Sequence, residues 1–253
     1  MYAFFVPPPA FHFESEVIVS LAHGLRQEAF AVAAGRLFRK SPTWDEGAWA
    51  ELAACWDRLT LDQYMGDKGT YRYRRYGAFD LERAWGERKQ RPHAPYRQAA
   101  SINKLNGNVD RIFDPLEPVF VDSPVLSGLL HSLAAVFEAA DGASGRWDIR
   151  LHPYRIVARP GVPGSPTPEG LHRDGVHYIV TLMVKRQNVT GGETMITDRR
   201  GAVVEQVTLS EPMDLVVAND IATMHAVTQI EPAIASEPAT RDVLVIAYTR
   251  AGR

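Results

Sequence analysis

The chain is poor in the features that mark disulfide-stapled, membrane-spanning or nucleic-acid-binding proteins. A single cysteine among 253 residues, Cys55, excludes an internal disulfide framework. It falls in a helix-like stretch, AWAELAACWDRL, where a small buried thiol is the ordinary reading rather than a nucleophile. No run approaches the roughly 18 apolar residues of a membrane span. The apolar start, MYAFFVPPPAFHF, lacks a basic leader, and Pro7, Pro8 and Pro9 interrupt any helix there, so a cytoplasmic location is expected. Charge of one sign is also missing. Lys and Arg number 28 against 30 Asp and Glu, a net −2, so no field gathers phosphates and no nucleic-acid partner is expected. Neither an internal repeat nor a low-complexity tract is present.

What remains is the composition of an ordinary globular domain, 45% hydrophobic and 23% charged, long enough to bury its own core. Val17, Leu21, Leu25 and Ala29 recur at helical spacing between Glu14 and Leu37, as do Leu52, Trp56 and Leu59 between Trp49 and Leu61, so the first quarter reads as mainly helical. GTYRYRRYGAF, from Gly69 to Phe79, sets Tyr71, Tyr73 and Arg75 on one face of a strand and Arg72, Arg74 and Tyr76 on the other. Residues 92–124 read as loops with brief strands, and a helix follows over Pro124 to Ala140. From Trp147 onward seven short β-branched runs, WDIRLHPYRIVA, HYIVTLMVKR, GGETMIT, AVVEQVTL, MDLVVAND, MHAVTQI and RDVLVIAYTR, are separated by turn chemistry. The expected fold is one α+β domain, 1–253: a cupin-like jelly roll (double-stranded β-helix) at 147–253 with a helical and mixed part, 1–146, packed on it. That helical part has two open uses, as a buttress for the barrel or as the interface of a homodimer.

Chemistry concentrates in the second half. In LHRDGVHYIV, His172 and Asp174 stand two apart at the start of a strand, so both side chains leave one face of the pleat. His225, 51 residues beyond Asp174 and beside the strand-like AVTQI, can return to them in a closed barrel. Two imidazoles and one carboxylate on one face of an octahedron leave positions open for a bidentate oxoacid and dioxygen, the pattern of non-haem iron(II) oxygenases. A chance His-x-Asp beside a core histidine is the bland reading of the three alone. Arg241, sixteen residues after His225 at the head of the last strand, shifts that balance, because its planar fork can grip the distal carboxylate of 2-oxoglutarate. His177 stands an odd number of residues from both His172 and Asp174 and should face away. The turn Gly191-Gly192-Glu193-Thr194 is open between plain hairpin chemistry and a place at the site, and ARPGVPGSPTPEG is taken as the site's rim. His152 and the other histidines read as surface or structural groups. Candidate substrate contacts are Arg72, Arg74, Arg75 and Tyr76, with Tyr248 on the last strand; charged edge-strand residues are the alternative for the first group.

HRDG, GGET, MHAVTQI and RDVLVIAYTR, with RYRRYGAF upstream, resemble the bacterial iron- and 2-oxoglutarate-dependent dioxygenases of the L-isoleucine dioxygenase and amino-acid hydroxylase type, from about Leu59 to the C-terminus. The resemblance implies a double-stranded β-helix in which His172, Asp174 and His225 hold Fe(II) and Arg241 anchors 2-oxoglutarate, with the RYRRYG strand on the substrate side. It also implies O2-dependent hydroxylation, or thioether sulfoxidation, of an aliphatic L-amino acid or an N-substituted relative, yielding succinate and CO2, with ascorbate supportive in vitro. Two rivals remain at this level: a cupin-type sensor that binds a small ligand without turnover, and a zinc-type hydrolytic site.

Overall fold

The computed structural model describes residues 11–82, 86–100, 102 and 107–252. Its elements are α1 (Ser15–Glu28), β1 (Phe30–Ala33), α2 (Arg36–Arg39), α3 (Glu46–Ala53) running into a 3-10 turn (Ala54–Arg58), β2 (Thr60–Leu61), β3 (Arg72–Arg74), β4 (Gly77–Glu82) and β5 (Glu87–Gln90). Then come α4 (Pro118–Val121), α5 (Pro124–Asp141), β6 (Arg146–Ala158), β7 (Tyr178–Gln187), β8 (Val189–Gly191), β9 (Thr194–Asp198), β10 (Val203–Val207), β11 (Leu215–Asn219), β12 (Thr223–Val227), β13 (Ile230–Pro232) and β14 (Ala239–Arg250). All seven runs expected after Trp147 are strands.

A nine-stranded antiparallel sheet, ordered β1-β11-β7-β14-β6-β3-β2 with β4 and β5 continuing beside β6, forms one wall of the jelly roll. The smaller ladders β10-β9-β12 and β13-β8 form the other. Period-two alternation gives the large sheet two different faces. Leu244, Ile246 and Tyr248 of β14, with Trp147, Ile149 and Leu151 of β6 and Val180 and Leu182 of β7, join the main apolar core with the helices. Arg241, Val243 and Val245, with His152, Tyr154 and Ile156, face the opposite way into a cavity.

Helix α5 seals the outer face. Ser123 caps it by accepting from Leu126 N (3.3 Å), Pro124 supplies a preset φ at the first turn, and Gly142 ends it at φ 68. Its Phe137 ring stacks on Tyr178 at 4.2 Å and meets Tyr248 edge-on at 4.8 Å.

Two expectations need correction. The stretch from Glu14 to Leu37 is not helical throughout. Helix α1 stops at Glu28, Ala29 turns left-handed (φ 64), and Phe30–Ala33 pairs with β11 as an edge strand. Backbone pairing at an open sheet edge, with the β-preference of Phe30 and Val32, outweighs the helical preference of the alanines. RYRRYGAF is likewise two strands in one register, since Arg72↔Ile156, Arg74↔Tyr154 and Gly77↔Leu151 all fit it. Pro153, which would face Arg75, has no N–H to give, and the ladder is interrupted there.

Candidate active site and metal centre

His225 lies on β12, and His172 joins the same ladder through reciprocal bonds, His172 N to His225 O at 3.0 Å and His225 N to His172 O at 2.9 Å. The two imidazoles therefore face each other, with centroids 4.4 Å apart. Beyond His172 the chain bends, and Gly175 takes φ +77, a conformation that a side chain would resist. Asp220, fully buried, fixes this bend by accepting from the amides of Asp174 (3.0 Å), Gly175 (2.7 Å) and Val176 (3.0 Å). Asp174 is thereby turned toward the histidines by a clamp on its own backbone rather than by a strand pleat.

One donor atom each from His172, Asp174 and His225 lies within 4.8 Å of the others. His172 Nδ1 donates to Gly170 O (2.9 Å), which leaves Nε2 as the lone-pair nitrogen. His225 Nε2 sits 3.4 Å from Asp174 Oδ2. Burial, reinforced by His172, pushes the His225 pKa down, so this ring is neutral and able to donate its lone pair. Burial works against the charged form of His172, yet the carboxylates of Asp174 and Glu169 hold its pKa above the ordinary value. Burial raises that of Asp174. A cation among the three would relieve both the repulsion and the desolvation, and the 2-His-1-carboxylate donor set suits iron(II).

The triad borders a cavity of about 520 Å³ whose far wall is the large sheet. Arg241, 2% exposed, points into it with Nε and Nη2 lacking any partner among the described residues. Burial and the neighbouring Arg186 depress its pKa to about 10, so it is charged at neutral pH, with no counter-ion among the described residues. Asp242, the neighbour that could have paired with it, is on the other face, bound to Arg155 through two 2.7 Å bonds. Gly192 makes room for the guanidinium: at φ +70, a Cβ there would stand 3.1 Å from Arg241 Cδ and 3.0 Å from Arg186 Nη1. Of the Gly191 to Thr194 turn, Gly192 thus packs beside the cavity arginine, whereas Glu193 contacts Gln206 and does not line the cavity.

The substrate candidates divide. Arg72 and Arg74 line the cavity, but Arg72 is ion-paired with the buried Asp62 at 2.7 Å. Tyr76 is one layer behind, stacked on His152 at 5.0 Å and beside Tyr96 at 5.1 Å. Arg75 points the opposite way, donating to Arg58 O and Pro115 O, as its parity with Arg74 requires. Tyr248 is a correction: it is fully buried in the apolar core and donates to Leu130 O at 2.9 Å, seven residues from Arg241 and so on the other face of β14. His177 faces away from the triad and accepts from Arg250 N.

Sequence reasoning missed Arg111, Tyr96 and Gln98, which line the cavity from an irregular segment without periodicity, and the clamp Asp220. It also misjudged His152, which is 4% exposed and lines the cavity. Burial and the arginines 74, 150, 111 and 72 drive its pKa well below the ordinary value, and its Nδ1 accepts from Arg74 Nη2.

Residues 53–247 match the family model described as 2OG-Fe dioxygenase. The chain is 25% identical over 203 residues to 3(1)-hydroxy-L-isoleucine 4-dioxygenase of Pantoea ananatis (strain AJ13355), covering 79% of this chain and 80% of the relative. Among solved structures, a bsmA homologue from Methylobium petroleophilum PM1 shares 32% identity over 93% of this chain and 94% of its own, with a TM-score of 0.83. IDO from Bacillus thuringiensis, 17% identical over 93% and 96% of the two chains at a TM-score of 0.76, shares the fold. The chain belongs to the 2OG-Fe dioxygenase family and is an enzyme that works with iron(II), 2-oxoglutarate and dioxygen.

Proposed function

We propose that this dioxygenase oxidises a free aliphatic L-amino acid, by hydroxylation of a C–H bond or sulfoxidation of a thioether. The hydroxylation balances as substrate plus O2 plus 2-oxoglutarate giving hydroxylated substrate, succinate and CO2. His172, Asp174 and His225 would hold the Fe(II), whose redox chemistry activates dioxygen when bound. The observation that carries the reading is Arg241, a buried guanidinium without a counter-ion among the described residues, in the same cavity as the triad. Its fork suits the 5-carboxylate of the cosubstrate, and Gly192 keeps the approach to it open.

The choice of an amino acid is supported by the relative named as a hydroxy-L-isoleucine dioxygenase and by the polarity of the cavity. Apolar surface from Val243, Val245 and Ile156 offers a place for an aliphatic chain, and Glu169 on the proline-rich rim offers a carboxylate for an ammonium group. The protein's part is to hold one substrate atom close to the metal and to exclude water. The test is incubation with Fe(II), ascorbate, 2-oxoglutarate and air with a panel of free and N-acylated L-amino acids. Succinate formed in step with a product heavier by one oxygen atom is expected from a free amino acid. An N-acylated acid as the sole effective substrate, or no succinate above an iron-free control, would contradict the proposal.

A further inference from the structure

A second concentration of positive charge lies in the cavity, away from Arg241. Arg72, Arg74 and Arg111 gather there, and the carboxylate of Asp62 is taken by Arg72 at 2.8 and 2.7 Å. Arg74 Nη1 is 3.8 Å from the same oxygen, and its other contacts are neutral: His152 Nδ1 and the rings of Phe113 (3.7 Å) and Tyr154 (4.6 Å). Arg111 donates to Gln98 Oε1 at 2.7 Å and stacks over Tyr96 at 4.6 Å. Both are almost fully buried, at 1% and 3% exposure, both line the cavity, and the Nε of each has no partner among the described residues.

The cavity's own acids answer this excess only in part, since Asp174 feels the charge of Arg111 and Arg74 without a direct bond to either among the described residues. Asp174 belongs to the triad, and Glu169 stands 3.5 Å from His172. Burying a guanidinium without an anion is strongly unfavourable, and aromatic faces compensate only in part. Arg74 pairs in register with Tyr154, which pairs with Val243, so it is two strands from β14 and on the order of 10 Å from it at the usual strand spacing. The two centres are therefore placed for two carboxylates on two molecules.

We propose that Arg74 and Arg111 form a carboxylate-binding subsite for the organic substrate, so that the enzyme selects free acids over their amides and esters. The inference rests on the reading that Arg241 takes 2-oxoglutarate. His152 and the stack on Phe113 act as positioning groups that hold the Arg74 fork in one direction.

The test is anaerobic titration calorimetry on Mn(II)-loaded protein saturated with 2-oxoglutarate, using L-isoleucine, L-leucine and L-methionine and their carboxamides. At least one acid should bind the wild type, with its carboxamide weaker by roughly tens of fold, since charge-assisted hydrogen bonds are lost. Arg74→Gln and Arg111→Gln should each bring the acid down toward the amide, Arg111→Lys should restore part of the preference, and 2-oxoglutarate affinity should stay within about twofold. Thermal melts identify any variant that fails to fold, and the remaining one then carries the test. Equal binding of acid and amide by the wild type, no acid binding at all, or an undiminished acid preference in the folded Gln variants would overturn the subsite. Failure of the wild type to bind 2-oxoglutarate would instead overturn the reading of Arg241.

Discussion

Asp220 is committed to the backbone rather than to a metal, because three of the roughly four lone-pair sites of its buried carboxylate receive the amides of the bend that carries Asp174. Replacing it with alanine leaves three N–H groups unsatisfied and frees Asp174 to rotate. Asp220→Ala should therefore weaken metal binding by about 10- to 100-fold, the usual effect of losing a group that orients a ligand, as read by competition with a chelator. At the far wall, Arg241→Ala should raise the KM for 2-oxoglutarate by roughly tenfold or more, measured from succinate formation at saturating substrate. His152 gives a pH dependence. Burial and neighbouring arginines keep its folded pKa well below 6.5, so between the two values the unfolded chain binds more protons than the folded one. Stability should then fall as pH drops below about 6.5, and His152→Phe should flatten that slope. Melting curves of the metal-loaded protein, in which His172 and His225 are committed, are the check.

At the scale of elements, the alternation of faces along β14 decides which of its residues act in the cavity. Arg241, Val243 and Val245 are on the cavity side, and Tyr248 is on the helix side. Tyr248→Phe should cost about 1 kcal/mol from the lost bond to Leu130 O and leave the KM of both substrates unchanged, as seen in denaturant melts and initial rates. The parity rule that separates Tyr248 from Arg241 on β14 was legible in the sequence, whereas the position of His177 follows from the bend at Gly175 and not from parity. The turn between β8 and β9 acts on the same cavity from the side. Gly192→Ala forces a side chain into a left-handed φ and against Arg241 Cδ, so a higher KM for 2-oxoglutarate should accompany a stability loss of about 1 kcal/mol or more. The division of RYRRYGAF could also be read from Pro153, whose missing N–H faces it, but only once the pairing with β6 is known.

Across the whole molecule, what could be read from sequence was what short-range pattern encodes. The seven β-branched runs are strands because each carries its own period and turn chemistry, and His172, Asp174 and His225 stand out because few residue types bind a cation. The hidden part depended on long-range placement. Arg111 sits in an irregular segment, and nothing local says that it stacks on Tyr96 inside a cavity. Asp220 looks like any turn aspartate until the bend it clamps is seen, 46 residues upstream in sequence and adjacent in space. The edge strand β1 was hidden for the same reason, since it pairs with β11, far along the chain. Helices on one side of the large sheet and ladders on the other leave a cavity between sheet and ladders, lined by the triad from one wall and by Arg241 from the other. None of the helices among the described residues is long and apolar enough to cross a membrane. The claim that this cavity joins metal and cosubstrate is tested most directly by anaerobic titration of Fe(II) and 2-oxoglutarate, followed by the visible charge-transfer absorption of their chelate. Wild type should develop the band, Asp174→Ala should not, and Arg241→Ala should develop it only at much higher 2-oxoglutarate; an undiminished band in Asp174→Ala would contradict the assignment of the site.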